Sequence, residues 1–233
     1  MELKVLQATD VTGGTFYLAL AGMIATAVLL LLGTGWVSRR WKLPVGLAAT
    51  FAVVAAAFYF EAREVWTMTG QMPVIYRYVA WMVTVPIQVV ILYFFVGTMS
   101  TPPVGLFWRL LVVSAVMVLA RYMGEVDFLN ATLAFLIALA LWLYILGEVF
   151  FGRLSEINAQ HSSEAVKRGF FWLRLIVSVG WAVYPLCYFI ARFAGGVGEG
   201  PLSIVYNLAD IVNEMLFGLI VLTVAMRESP SVR

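Results

Sequence analysis

Charge is what this sequence has least of: Asp, Glu, Lys and Arg make up only 12% of 233 residues, about half the share found in soluble domains. A single cysteine, Cys187, excludes a disulfide framework and a thiolate metal site. The only histidine, His161, has no second metal-type ligand near it in sequence. The net charge of +2 and the absence of any basic run longer than the Arg39, Arg40, Lys42 cluster exclude a nucleic-acid surface. No nucleophile stands beside a base, no metal-ligand cluster and no phosphate-binding loop can be found, so an enzyme is not expected. The leading stretch MELKVLQATDVTGGT holds no apolar core of the signal-peptide kind, so no cleaved leader is expected. No repeat or low-complexity tract divides the chain, and residues 1–233 read as a single domain.

What is present is apolar. Hydrophobic residues make up 63% of the chain and the mean hydropathy is +0.94, which places it in a bilayer. A helix needs about 20 mostly apolar residues to cross the hydrocarbon core, where open-edged backbone is excluded. Segments near 16–36, 45–66, 74–97, 104–122, 129–151, 169–195 and 202–226 satisfy this, separated by Pro44, Pro73, Pro102-Pro103, Gly195-Gly196 and Pro201. The expected fold is therefore an all-α membrane protein, a bundle of seven transmembrane helices. Arg39, Arg40, Lys42, Arg109, Arg153, Lys167, Arg168, Arg227 and Arg233 flank one side, against Lys4, Arg63, Arg121 and Arg192 on the other. The excess of positive charge puts the N-terminus outside and the C-terminus in the cytoplasm, in a multi-pass protein of the cell membrane. The longest connection, about 152–168, is expected to be a solvated loop carrying His161.

Ionisable groups inside such helices cost about 3 kcal/mol or more unless paired or hydrated, and so mark candidate sites. Arg77 falls one turn into the third helix. Asp210 and Glu214, spaced four apart, share one face of the seventh.

Three stretches carry a resemblance: RYVAWMVTVP (77–86) with VMVLARYMGE (116–125), GWAVYP (180–185), and YNLADIVNEMLFGLIV (206–221). They resemble the pocket motifs of the microbial rhodopsins, in the proteorhodopsin-like branch, and the similarity runs through all seven helices in order. The resemblance implies a bacteriorhodopsin-like bundle and a slot lined by Trp81, Thr84, Pro86, Trp181, Tyr184, Pro185, Tyr206 and Asp210. It also places Arg77 beneath the slot, Gln88 at a colour-tuning position and Met117 near the ring end.

The departures from that pattern carry the functional argument. Where the family has the retinal-bearing lysine this chain has Glu214, and a carboxylate cannot condense with an aldehyde. The proton acceptor position is Ala80, the proton donor position is Ile91, and the histidine that partners the acceptor is Phe58. The chain's three lysines, Lys4, Lys42 and Lys167, all lie in loops or at helix ends. Covalent retinal and light-driven pumping are therefore not expected. Where the family has a small glycine stands Arg121, which either reaches the outer surface or fills the ring end of the slot. One arginine faces two acids, so Asp210 is expected as the anion and Glu214 as the protonated partner, donating a hydrogen bond within the bundle.

Three readings follow. The first is a retinal-free opsin-like protein with a structural or regulatory role, forming rings of five or six copies, as the resemblance implies, or a hetero-oligomer with a pigmented rhodopsin. The second is a noncovalent binder or sensor of retinal, a carotenoid or another apolar molecule. The third and weakest is a passive proton or ion pathway through Arg77, Asp210 and Glu214.

Overall fold

A computed structural model describes residues 6–229; Lys4 and Arg233, counted above for the charge asymmetry, lie outside that range. Among the described residues, seven helices are long and apolar enough to cross a membrane. They are α1 (Val11–Gly33), α2 (Arg39–Thr69), α3 (Val74–Gly97), α4 (Val104–Glu125), α5 (Ala131–His161), α6 (Glu164–Phe193) and α7 (Glu199–Arg227). In a bilayer every backbone N–H and C=O must find its partner within the protein, and helices meet that requirement strand by strand. Each helix packs on its sequence neighbour, and α7 closes the ring by packing on α1 and α2.

Helix ends follow local chemistry. α1 begins at Val11, earlier than expected, because the Asp10 carboxylate accepts from the Gly13 N–H at 2.7 Å. Asn130 does the same for α5, accepting from Thr132 and Leu133 at 3.1 Å each. α2 stops at Gly70, whose φ of 70° is the left-handed geometry that a glycine adopts without steric cost.

The expected loop at 152–168 is largely helical, and that expectation is corrected. α5 breaks at Gly152, where the backbone turns extended, and resumes at once over Arg153–His161. The Glu148 side chain caps the second segment by accepting from the Leu154 N–H at 3.0 Å. Leu154 and Ile157 are buried, so this short piece lays an apolar face against the bundle, while His161 stays exposed at its last turn.

The core divides in two. A large cluster around Trp41, Phe51, Ile91, Phe95, Phe170 and Phe217 fills the end where α3 and α7 finish. A smaller one, centred on Phe16, Met23, Ala55 and Tyr59, lies between α1 and α2. α3 and α7 are the most enclosed helices, 56% and 50% of their most apolar windows being buried, against 22% for α5. Arg77, Asp210 and Glu214 sit on those two inner helices, where an unpaired charge costs most.

Candidate functional site

α6 and α7 are not regular throughout. Residues Ile176–Gly180 and Ile211–Leu216 are π turns, facing each other across the bundle. Such turns commonly mark functional sites and misdirect backbone carbonyls that an α-helix would pair. Here side chains take up those carbonyls. Trp142 Nε1 donates to the Val177 carbonyl at 2.9 Å. Gln88 Nε2 donates to the Asn213 carbonyl, and Asn213 Nδ2 to the Gly180 carbonyl, both at 3.1 Å. Asn213 Nδ2 also donates to Tyr184 Oη at 3.0 Å.

From Tyr184 the network passes to Asp210, which is 2% exposed. Its Oδ1 accepts from Tyr184 Oη at 2.7 Å and Trp81 Nε1 at 3.4 Å. Its Oδ2 accepts from Tyr59 Oη at 2.5 Å and pairs with the Arg77 guanidinium at 3.4 Å. These converging donors suit a carboxylate anion. One turn earlier, Asn207 Oδ1 accepts from Arg77 Nη2 at 2.6 Å while its Nδ2 donates to Thr15 Oγ1 at 2.8 Å, tying α7 to α1. Arg77 also lies 5.4 Å from the centroids of Phe16 and Tyr206, and such contacts with aromatic faces favour a cation.

Beside this network lies a cavity with about 110 Å³ of free space. Trp81, Gln88, Met117, Trp181, Tyr184, Pro185 and Tyr206 line it, together with Tyr78, Phe135, Ala138, Trp142 and Asn213. The rings are locked by one another: Trp81 meets Tyr184 and Tyr206 edge-on at 5.1 and 5.8 Å, and Tyr184 stacks on Tyr206 at 6.0 Å. Arg121 also borders the cavity. Its guanidinium sits 3.2 Å from the Tyr188 ring centroid and 2.9 Å from Glu125, so it fills that end of the slot and does not extend away to the surface.

Three of the expected lining residues, Thr84, Pro86 and Asp210, are elsewhere. Thr84 and Pro86 are buried in α3 and border neither this cavity nor the smaller one described next. Arg77 and Asp210 border a separate hole of about 20 Å³, with Phe58, Tyr59 and Ala80, room for about one water. Ile91 belongs to the large apolar core and reaches neither space.

Glu214 alone among the acids borders both spaces, and it is 4% exposed. Its Oε2 makes no full hydrogen bond, and the Thr84 hydroxyl of α3, close enough to contribute a weak one, is itself without a full partner.

The family model for bacteriorhodopsin-like protein matches residues 10–227. The chain belongs to that family. The blue-light absorbing proteorhodopsin of Gamma-proteobacterium Hot 75m4 is 36% identical over 226 residues, covering 96% of this chain and 90% of that one. The green-light absorbing proteorhodopsin of Gamma-proteobacterium EBAC31A08 is 35% identical over 225 residues with the same coverage. Among solved structures, the blue light-absorbing proteorhodopsin from Med12 superposes with a TM-score of 0.81 at 33% identity, covering 94% of this chain and all of that one. A thermophilic rhodopsin gives 0.86 at 26%, covering 94% of each. The fold is thus the rhodopsin bundle, in a multi-pass cell-membrane protein. Whether the slot of this bacteriorhodopsin-like chain suits covalent retinal can be judged from its lining: among the described residues, no lysine borders either cavity. The side chains present do not fit an imine-linked chromophore.

Several members of the site were not singled out from sequence: Tyr59, Asn207, Asn213 and Trp142. Asn207 and Asn213 carried a readable signal, since an amide inside a membrane helix usually marks an interhelical hydrogen bond. The π turns carried none.

Proposed function

We propose that this chain is a rhodopsin homologue that forms no retinylidene bond, does not pump with light, and holds an elongated apolar molecule noncovalently in its aromatic slot. The supporting observation is the open slot. Its lining is almost wholly apolar and its rings hold one another in place around about 110 Å³ of free space, the character of a ligand pocket. The retained aromatic frame therefore favours ligand binding over the purely structural reading. A conducting pathway is disfavoured by the buried apolar run Val89, Val90, Ile91 and Leu92, which offers no polar atom beyond the side chain of Gln88. With basic residues gathered at the α2 start and in the α5–α6 connection, the N-terminus lies outside and the C-terminus in the cytoplasm.

The test is to extract the protein, purified in native lipid, with organic solvent and identify co-purifying apolar molecules by mass spectrometry. In parallel, all-trans retinal is titrated while tryptophan fluorescence is followed. Saturable quenching by a chromophore that separates from the polypeptide on denaturation, even after borohydride treatment, is expected. No extractable molecule and no saturable quenching would remove the reading.

A further inference from the structure

We infer that Glu214 is the anchor for the polar end of the ligand, and that the slot selects long apolar molecules ending in a hydrogen-bond donor, a hydroxyl or a protonated amine. The inference rests on the ligand-binding reading above and adds its chemistry.

Three observations carry it. First, Glu214 is 96% buried, at 4% exposure, yet its Oε2 has no partner, whereas Asp210 one turn away is satisfied by Tyr59, Arg77, Trp81 and Tyr184. A buried polar oxygen without a donor costs about 1–3 kcal/mol, and that cost vanishes when a donor arrives. Second, the carboxyl borders the aromatic cavity, so the donor can come from whatever occupies it. Third, no cation is committed to Glu214: Arg77 pairs with Asp210 at 3.4 Å, and Arg121, the one cation bordering the cavity among the described residues, pairs with Glu125 through Nη2 at 2.9 Å. An ether oxygen only accepts, so it leaves an unprotonated Oε2 unsatisfied. A hydroxyl satisfies Oε2 whether or not the acid keeps its proton, and an ammonium also supplies the missing positive charge.

The arrangement reverses the chemistry of a lysine-bearing pocket, since the protein holds the acid and the ligand brings the donor. Among the other polar groups bordering the cavity, Gln88 donates to the Asn213 carbonyl and Asn213 Nδ2 donates to Gly180 and Tyr184, while Asn213 Oδ1, like Glu214 Oε2, is an acceptor without a partner and calls for the same kind of donor.

The experiment compares all-trans-retinol, all-trans-retinylamine and the methyl ether of retinol, which share one skeleton and differ in the donor. Each is titrated by tryptophan quenching into the full chain in nanodiscs, as wild type, Glu214→Gln and Glu214→Leu. The alcohol or the amine is expected to bind wild type at least about tenfold more tightly than the ether. In Glu214→Leu, which removes no hydrogen bond seen in the structure, that preference is expected to vanish. An amine preference lost in Glu214→Gln assigns an ionised anchor. An alcohol preference that survives Gln but not Leu assigns a neutral one. Equal affinities in wild type, or discrimination unchanged in Glu214→Leu, would overturn the inference and leave the slot standing as a ligand site. No saturable binding of any of the three would remove the ligand-binding reading as well.

Discussion

The bridge between the two π turns can be tested at Gly180. Its backbone, φ −62° and ψ −45°, is ordinary helix, so alanine meets no conformational obstacle there. Yet an added Cβ would lie 2.0 Å from Asn213 Oδ1 and 3.1 Å from its Cγ, well inside contact distance. The side-chain amide must therefore move, losing its bonds to the Gly180 carbonyl and Tyr184 Oη. Overpacking of this kind costs about 1–3 kcal/mol, and each interhelical hydrogen bond in a membrane about 0.6 kcal/mol. Gly180→Ala should then destabilise by about 2–4 kcal/mol, offset by less than about 1 kcal/mol from the better helix propensity of alanine. Asn213→Ala alone should cost about 1–2 kcal/mol. In the Asn213→Ala background the clash has no target, and Gly180→Ala should become neutral or slightly stabilising. The double-mutant cycle, measured by reversible unfolding in mixed micelles, is expected to show a coupling of about 2 kcal/mol. If Gly180→Ala costs the same in both backgrounds, the amide is not what the glycine accommodates and the bridge is misassigned.

Three further outcomes are expected. Glu214→Lys with all-trans retinal should give a visible absorption band that borohydride fixes to the chain, and adding Arg121→Gly should raise the pigment yield by emptying the ring end; no band in either variant would mean that the slot cannot take the chromophore. Arg77→Gln should destabilise by about 3 kcal/mol, because it strands a buried carboxylate; Arg77→Gln with Asp210→Asn should recover part of that loss in the same unfolding assay. Ala138→Leu projects new carbons into the cavity and should raise stability by about 0.5–2 kcal/mol in ligand-free protein, while weakening polyene quenching at least tenfold; unchanged quenching would show that ligands bind elsewhere.

The bundle was legible in the sequence because a bilayer leaves so few options: once seven apolar segments are counted, backbone hydrogen bonding dictates helices. Site chemistry was legible where cost exposes it, at Arg77, Asp210 and Glu214. Their partners were less so. Tyr59 could not be told from an ordinary packing tyrosine until α2 brought its hydroxyl 2.5 Å from Asp210. The segment after Phe151 misled because its charged residues read as loop, while its sparse apolar positions, Leu154 and Ile157, were enough to fold it against the bundle. The π turns escaped because they arise from how α6 and α7 fit each other through Gly180 and Asn213, a relation between distant residues that neither segment carries alone.

The two buried acids of α7, Asp210 and Glu214, are held very differently, and that difference predicts what each substitution should do. Asp210 belongs to the frame. It ties α2, α3 and α6 to α7 through Tyr59, Arg77, Trp81 and Tyr184, and its removal would strand the Trp81 and Tyr184 donors and leave Tyr59 and Arg77 only Asn207. Glu214 ties far less: its Oε2 makes no full hydrogen bond, and the one side chain near enough for a weak one is Thr84 of α3. A residue outside the network that holds the bundle together is free to follow what occupies the cavity. Substituting Asp210 should therefore act chiefly on stability and substituting Glu214 chiefly on ligand choice. If Glu214→Leu were as destabilising as Asp210→Ala, by about 3 kcal/mol or more, the carboxyl would be a structural member after all, and its unpaired oxygen would have to be satisfied by buried water.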